Sequence, residues 1–209
     1  MGFELVVFDC DGVLFDSDGA NWAFYDEIMK RAGQPPLPET ARPDASALAS
    51  AQLFQRYYGD DPESLATIRA TARATDYGPF FSLMKPRSDL RQVIEGLRGR
   101  YQTAMASNRS RTLGGVIEHF GLEGLFDLVV GVADVKHPKP APDMLLECSR
   151  RLGVDPGRAV YVGDQESDRL SAAAAGMVFV GIGAAVAAAE FRINTLEELE
   201  PLLASIDCA

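Results

Sequence analysis

Apolar positions along the chain follow two rhythms, and the change from one to the other divides the protein. Residues 4 to 8 are apolar almost throughout, with paired valines, and run into Asp9. Such a run suits a strand covered on both faces in a parallel sheet. The stretch Asn21 to Ala32, NWAFYDEIMKRA, predicts a helix with Gly33 as its C-cap, and QPPLPE breaks the pattern. Two further helical stretches, 44 to 58 and 62 to 75, follow with no strand-like run between them. The block from about 17 to 85 is therefore expected to be helical.

After Pro86 helix and strand alternate. Ser88 can cap a helix whose Leu90, Val93, Ile94 and Leu97 fall at i, i+3, i+4 and i+7. A strand TAMAS ends at Ser107 and Asn108, and the next helix repeats the spacing with Leu113, Val116, Ile117 and Phe120 before Gly121. LVVGV at 128 to 132 predicts a buried strand. Pro140 and Pro142 set up a helix with Asp143 in its first turn and Gly153 at its end. AVYVGD at 159 to 164 repeats the opening motif of an apolar strand ending in an acid. An Ala-rich helix to Gly176, a fifth strand VFVGIG at 178 to 183 and a capping box from Thr195 to Glu198 complete the series. The short alanine runs at 172 to 175 and 187 to 189 are not repeats.

This alternation predicts an α/β fold, a doubly wound, Rossmann-like parallel sheet with right-handed crossovers. The core is expected to comprise residues 1–16 and 86–209, with residues 17–85 as an inserted helical domain. Ligands of such sheets bind beyond the carboxyl ends of the strands, where strand order reverses. Asp9, Ser107 with Asn108, and Asp164 all stand at strand exits, and Lys139 lies in the loop after LVVGV.

Composition narrows the choice of partner. The 209 residues allow one large domain or a domain with an insert, and a net charge of −10 argues against a nucleic-acid surface. Cys10, Cys148 and Cys208 are odd in number and widely spaced, which suggests free thiols and a reducing cytoplasm. The apolar N-terminal run is broken by Asp9 and has no basic flank, so it reads as neither signal peptide nor membrane span. The expectation is a cytoplasmic protein with no membrane partner.

Asp9 and Asp11 carry the chemistry. Two carboxylates about 4 Å apart repel by about 4 kcal/mol at an effective dielectric near 20, so they call for a cation or a shared proton. Asp164, with Asp168 four residues on, adds hard oxygen ligands of the kind Mg²⁺ prefers. The Lys139 ammonium and the Ser107 hydroxyl could hold phosphoryl oxygens. One carboxylate could attack phosphorus, and Asp11 could move the proton.

Four motifs, DCDGVL at 9 to 14, SN at 107 to 108, KPAPD at 139 to 143 and GDQESD at 163 to 168, together resemble those of the haloacid dehalogenase-like hydrolase superfamily. Their order matches across most of the chain. The resemblance implies Asp9 as nucleophile and Asp11 as acid/base, with Ser107, Asn108 and Lys139 at the phosphoryl group. It also implies Mg²⁺ held by Asp9, the Asp11 carbonyl and Asp164, with Asp168 behind them. The helical insert resembles the small cap of phosphoglycolate phosphatases and β-phosphoglucomutases, which closes over the site. Family members that cleave carbon–halogen bonds lack the second acid that Asp11 supplies here. The expected activity is hydrolysis of a small phosphorylated metabolite, with a phosphomutase as the alternative. An aspartate-phosphorylated receiver module is a third reading, disfavoured by the insert and by the absence of an early acid after the strand at 128 to 132.

Blander readings stand beside these. Asp164 and Asp168 could simply favour a helix N-terminus, and Ser107 could cap the next helix. Arg109 and Arg111 read as solvated residues at a helix start, with contact between Arg109 and an anionic substrate tail as the alternative. His137 reads as an exposed loop histidine, and Trp22, Phe24 and Tyr25 as packing residues. GIG at 181 to 183 is no dinucleotide motif, because Val186 stands where the third glycine belongs.

Overall fold

The computed structural model describes residues 2–183, 186 and 188–207. Cys208 and the first residue of the 187 to 189 alanine run lie outside them. The chain forms two compact units, one from the N-terminal segment through Phe15 together with Pro86 onward, the other Asp16–Lys85.

The first unit is built on a six-stranded, wholly parallel sheet. Its strands are β1 (Leu5–Phe8), β4 (Gln102–Ser107), β5 (Leu128–Gly131), β6 (Ala159–Gly163), β7 (Val178–Ile182) and β8 (Phe191–Ile193). Two short strands, β2 (Phe15–Asp16) and β3 (Lys85–Pro86), pair separately where the chain leaves and re-enters this unit. The spatial order β5-β4-β1-β6-β7-β8 puts β1 in the interior, with Leu5 opposite both Gln102 and Ala159. From β1 the chain builds outward through β4 and β5, then crosses back to β6. The order therefore reverses beside β1, and β4, β1 and β6 end together at that switch point.

The central strands are apolar on both faces because helices cover both. Leu5 and Val7 join a cluster with Met144, Leu145 and Cys148 of α7 (Asp143–Leu152) and Ala172 and Ala175 of α8 (Glu166–Ala175). Val6 and Phe8 point the other way, where Phe8 meets the edge of Phe126. On that side Ile94 and Leu97 of α5 (Leu90–Leu97) and Val116 of α6 (Thr112–His119) are buried. The last helix, α9 (Leu199–Asp207), buries Leu199 and Leu203.

The second unit is helical, with α1 (Asp18–Arg31), α2 (Arg42–Ala47), α3 (Ser50–Tyr58) and α4 (Pro62–Ala74). Phe24 is the hub of its aromatic core, 4.9 Å from Tyr77 and 5.6 Å from Phe80 by ring centroids. Asp61 caps α4, accepting from the backbone N–H groups of Glu63 and Ser64 at 3.2 and 3.1 Å.

Four local expectations need correction. The stretch 44 to 58 is two helices, because Leu48 and Ala49 are extended and the Gln52 side chain accepts from the Ala49 N–H, starting a new helix. The helix after Pro86 takes Asp89, not Ser88, at its N-cap position. Thr195 makes no capping hydrogen bond; Glu198 reaches back one residue further, to the Asn194 N–H at 3.1 Å, and a 3-10 turn precedes α9. The sheet has a sixth strand, β8, too short at three residues to leave a periodic signature.

Candidate active site

Asp9 is the first residue beyond β1, and its N–H still donates to the Val162 carbonyl of β6 at 2.9 Å. The ladder thus fixes the backbone at the point where the buried carboxylate begins. Cys10, one position on, is wholly buried. Gly12 then turns the chain at φ +78°, and a Cβ there would overlap the Asp164 carboxylate. The Arg87 guanidinium secures this turn, donating from Nε to the Val13 carbonyl at 2.6 Å and from Nη2 to that of Gly12 at 2.9 Å.

Lys139 is almost completely buried, and its ammonium has three polar partners. Its Nζ donates to Asp168 Oδ1 at 2.7 Å and to the Tyr161 hydroxyl at 2.9 Å, and lies 2.8 Å from Asp9 Oδ1. Burial opposes the lysine charge, but Asp168 and Asp9 outweigh it and push its pKa above the ordinary lysine value. The ammonium is therefore a fixed positive charge. Asn108 braces its loop: Oδ1 accepts from the Lys139 N–H at 3.0 Å, and Nδ2 lies 3.4 Å from the Lys139 carbonyl.

Asp168 stands at the third position of α8 and spends all its oxygens inside the protein. Oδ2 accepts from the N–H groups of Asp164 and Gln165 at 3.1 and 3.0 Å, while Oδ1 accepts from Lys139 and from the Tyr161 hydroxyl at 3.0 Å. Gly163 admits this side chain, since any Cβ there would overlap it. Asp168 thereby orients Lys139 and the start of α8.

Asp9, Asp164 and Asp168 each bring a carboxylate oxygen into one group within 4.8 Å. Burial, with the neighbouring acids, raises the Asp9 pKa well above the usual range despite Lys139. Burial and then Asp168 push Asp164 up to about 7, against the hydrogen bond from Gln165 and the charge of Lys139. One lysine does not neutralise this cluster. Asp164 Oδ1 is buried and accepts no hydrogen bond, and Asp9 Oδ1 meets the Lys139 ammonium at 2.8 Å. An unsatisfied hard oxygen beside excess negative charge fits a divalent cation such as Mg²⁺.

Ser107 ends β4, wholly buried, with Oγ accepting from the Arg109 N–H at 3.1 Å. Arg109 is not the solvated helix-start residue that the sequence suggests. Helix α6 begins only at Thr112, so Arg109 lies in the connection, where its buried guanidinium clasps Asp11. Nη2 donates to Asp11 Oδ1 at 2.7 Å and Nε to Oδ2 at 2.9 Å. Arg111 is exposed, as is His137, whose Nδ1 lies 3.0 Å from Asp143 Oδ1. Cys10 and Cys148 are buried free thiols. Arg87 and Tyr161 were not anticipated. A tyrosine inside the aliphatic run AVYVG was the available signal for the second; an isolated arginine gave none for the first.

The family model for haloacid dehalogenase-like hydrolases matches residues 6–182. The chain belongs to this family and is an enzyme. It is 29% identical to the phosphoglycolate phosphatase of Chromobacterium violaceum, over 96% of each chain. It is 28% identical to the fructose-1-phosphate phosphatase YqaB of Escherichia coli, over 85% of this chain and 95% of that one. Among solved structures, a subfamily IA hydrolase from Geobacter sulfurreducens shares 34% identity over 96% of each chain, with a TM-score of 0.75. Membership of a hydrolase family removes the receiver-module reading. Among the described residues no helix is long and apolar enough to cross a membrane.

Proposed function

We propose that this protein is a Mg²⁺-dependent phosphatase that hydrolyses a small phosphomonoester through an aspartyl-phosphate on Asp9. The observation that carries the reading is the Asp9 carboxylate itself. It is buried at the switch point, with Oδ1 2.8 Å from a lysine charge and grouped with the carboxylates of Asp164 and Asp168.

In this reading an Asp9 oxygen attacks phosphorus, the bond from phosphorus to the ester oxygen breaks, and the leaving oxygen takes a proton from Asp11. Water then attacks the same phosphorus, Asp11 accepts its proton, and the bond from Asp9 to phosphorus breaks to release phosphate. Asp9 and Asp164 would hold Mg²⁺, with the Asp11 carbonyl as a further ligand. Bound there, the cation would neutralise charge on the transferring phosphoryl group. Lys139 supplies a second positive charge fixed in advance, and Ser107 a hydroxyl at the β4 exit. The unit Asp16–Lys85 would act as the cap that selects the rest of the substrate.

The test is phosphate release from phosphoglycolate, fructose 1-phosphate, pyrophosphate and p-nitrophenyl phosphate, with Mg²⁺ and with chelator. Many turnovers that depend on Mg²⁺ are expected on at least one ester. None across the panel would remove the proposal.

A further inference from the structure

Gln165 is the N-cap residue of α8, and its backbone alone starts the helix. Its N–H donates to Asp168 Oδ2 at 3.0 Å, and its carbonyl accepts from the N–H groups of Asp168 and Arg169 at 3.1 and 3.3 Å. The side chain makes no capping hydrogen bond. It turns instead to the neighbouring carboxylate, where Nε2 donates to Asp164 Oδ2 at 2.7 Å. Among the described residues this is the sole hydrogen bond to that carboxylate, and Oδ1 is buried and accepts none. Gly12 completes the seat, since a Cβ at that position would overlap the same carboxylate. One oxygen of Asp164 is thus committed to the protein, and the other is bare.

We infer that Gln165 is a positioning residue that makes Asp164 a one-oxygen ligand, and that it thereby favours Mg²⁺ over Ca²⁺ at this site. The inference rests on the Mg²⁺ reading of the cluster containing Asp9 and Asp164 and extends it. Mg²⁺ demands a near-ideal octahedron, which the narrow bite of a two-oxygen carboxylate does not fit. Ca²⁺ takes about six to eight oxygens and accepts both from one carboxylate. An amide on Oδ2 suits the first ion and penalises the second, because capture of both oxygens would cost that hydrogen bond. It also fixes the side chain in advance, so less rotamer freedom is lost when the ion binds.

The signature is a change in ion selectivity, which a merely structural role would not produce. Gln165→Met keeps the unbranched length of the side chain and removes the donor. The probe is Mn²⁺, whose free-ion EPR signal falls on binding, displaced by Mg²⁺ or by Ca²⁺ from substrate-free protein. The titrations are run at a temperature where circular dichroism shows wild type and variant both native. In the variant the Mg²⁺ dissociation constant should rise by roughly 10-fold, and that for Ca²⁺ by no more than about threefold. An equal or greater loss for Ca²⁺, or an unchanged Mg²⁺ constant, would overturn the role while leaving the phosphatase reading intact. Should Gln165→Met fail to fold, Gln165→Ala, which leaves the backbone bonds of α8 in place, carries the same comparison. A wild type that binds none of these ions would overturn the Mg²⁺ reading and this role together.

Discussion

The same pairing of a cation with an aspartate appears in both units at similar distances, with different consequences. In the α/β unit Lys139 Nζ lies 2.7 Å from Asp168 with side chains 3% and 1% exposed; in the helical unit Arg42 lies 2.9 Å from Asp18 with 39% and 46% exposed. The exposed pair is screened by water and shares its aspartate with Ser46, while its guanidinium also rests 4.8 Å from the Trp22 ring. Such a pair orients side chains without deciding whether the unit folds. The buried pair belongs to a set in which Asp9, Asp164 and Asp168 face one ammonium, and there each charge depends on the others. Distance alone does not rank an ion pair; the water around it does.

This contrast can be broken from its strong side first. Asp9→Asn should reduce turnover by at least about 10³-fold, as removal of a nucleophile does, while the circular dichroism spectrum stays native. It removes a carboxylate that burial already strains, so the urea midpoint of the metal-free protein should not fall. Near wild-type turnover would refute the nucleophile assignment. Lys139→Ala comes next, leaving buried acids without their cation at a cost of about 3–5 kcal/mol in urea unfolding at pH 8. A loss below about 1 kcal/mol, the range of exposed pairs, would show that the buried set is not interdependent.

The third test uses pH. Asp164 titrates near 7 in the folded, metal-free protein against an ordinary value of 3.8. The folded chain therefore binds the proton more tightly than the unfolded chain. The stability it contributes is complete below about 4 and is lost as pH rises toward 7. With chelator present, the melting temperature should decline across that window. Mg²⁺ competes with protons for these acids, so it should raise the melting temperature more at pH 8 than at pH 5. A Mg²⁺ effect equal at both values would separate the cation from this carboxylate. The smallest effect is expected from Arg42→Ala, whose urea midpoint should stay within the scatter of replicate melts. A clear loss would mean that the exposed pair is coupled to its unit in the way the buried one is.

Where the sequence was informative, the information was local. An apolar run ending in an acid is visible within ten residues, and this brought out Asp9 and Asp164 at adjacent strand exits. The helical block was legible as a block. Its interior was not, because the break at Leu48 and Ala49 depends on one side-chain cap rather than on a proline or glycine. Arg109 was misjudged for a different reason. An arginine after Ser-Asn is ordinarily solvated, and nothing near it in sequence announces the carboxylate it meets.

The sequence by itself determined which elements form and which residues stand at their ends, since periodicity and turn chemistry act over a few residues. Only the tertiary structure decided how each charge is compensated. Asp9 and Asp168 share Lys139, Tyr161 joins them through its hydroxyl, and Asp11 faces Arg109. Those pairings follow from strand order, which places β4 and β6 on either side of β1. The physical reason is range. Backbone preference is settled between neighbours in the chain, whereas the worth of a charge depends on everything that folding brings within a few ångströms of it and on the water that folding removes.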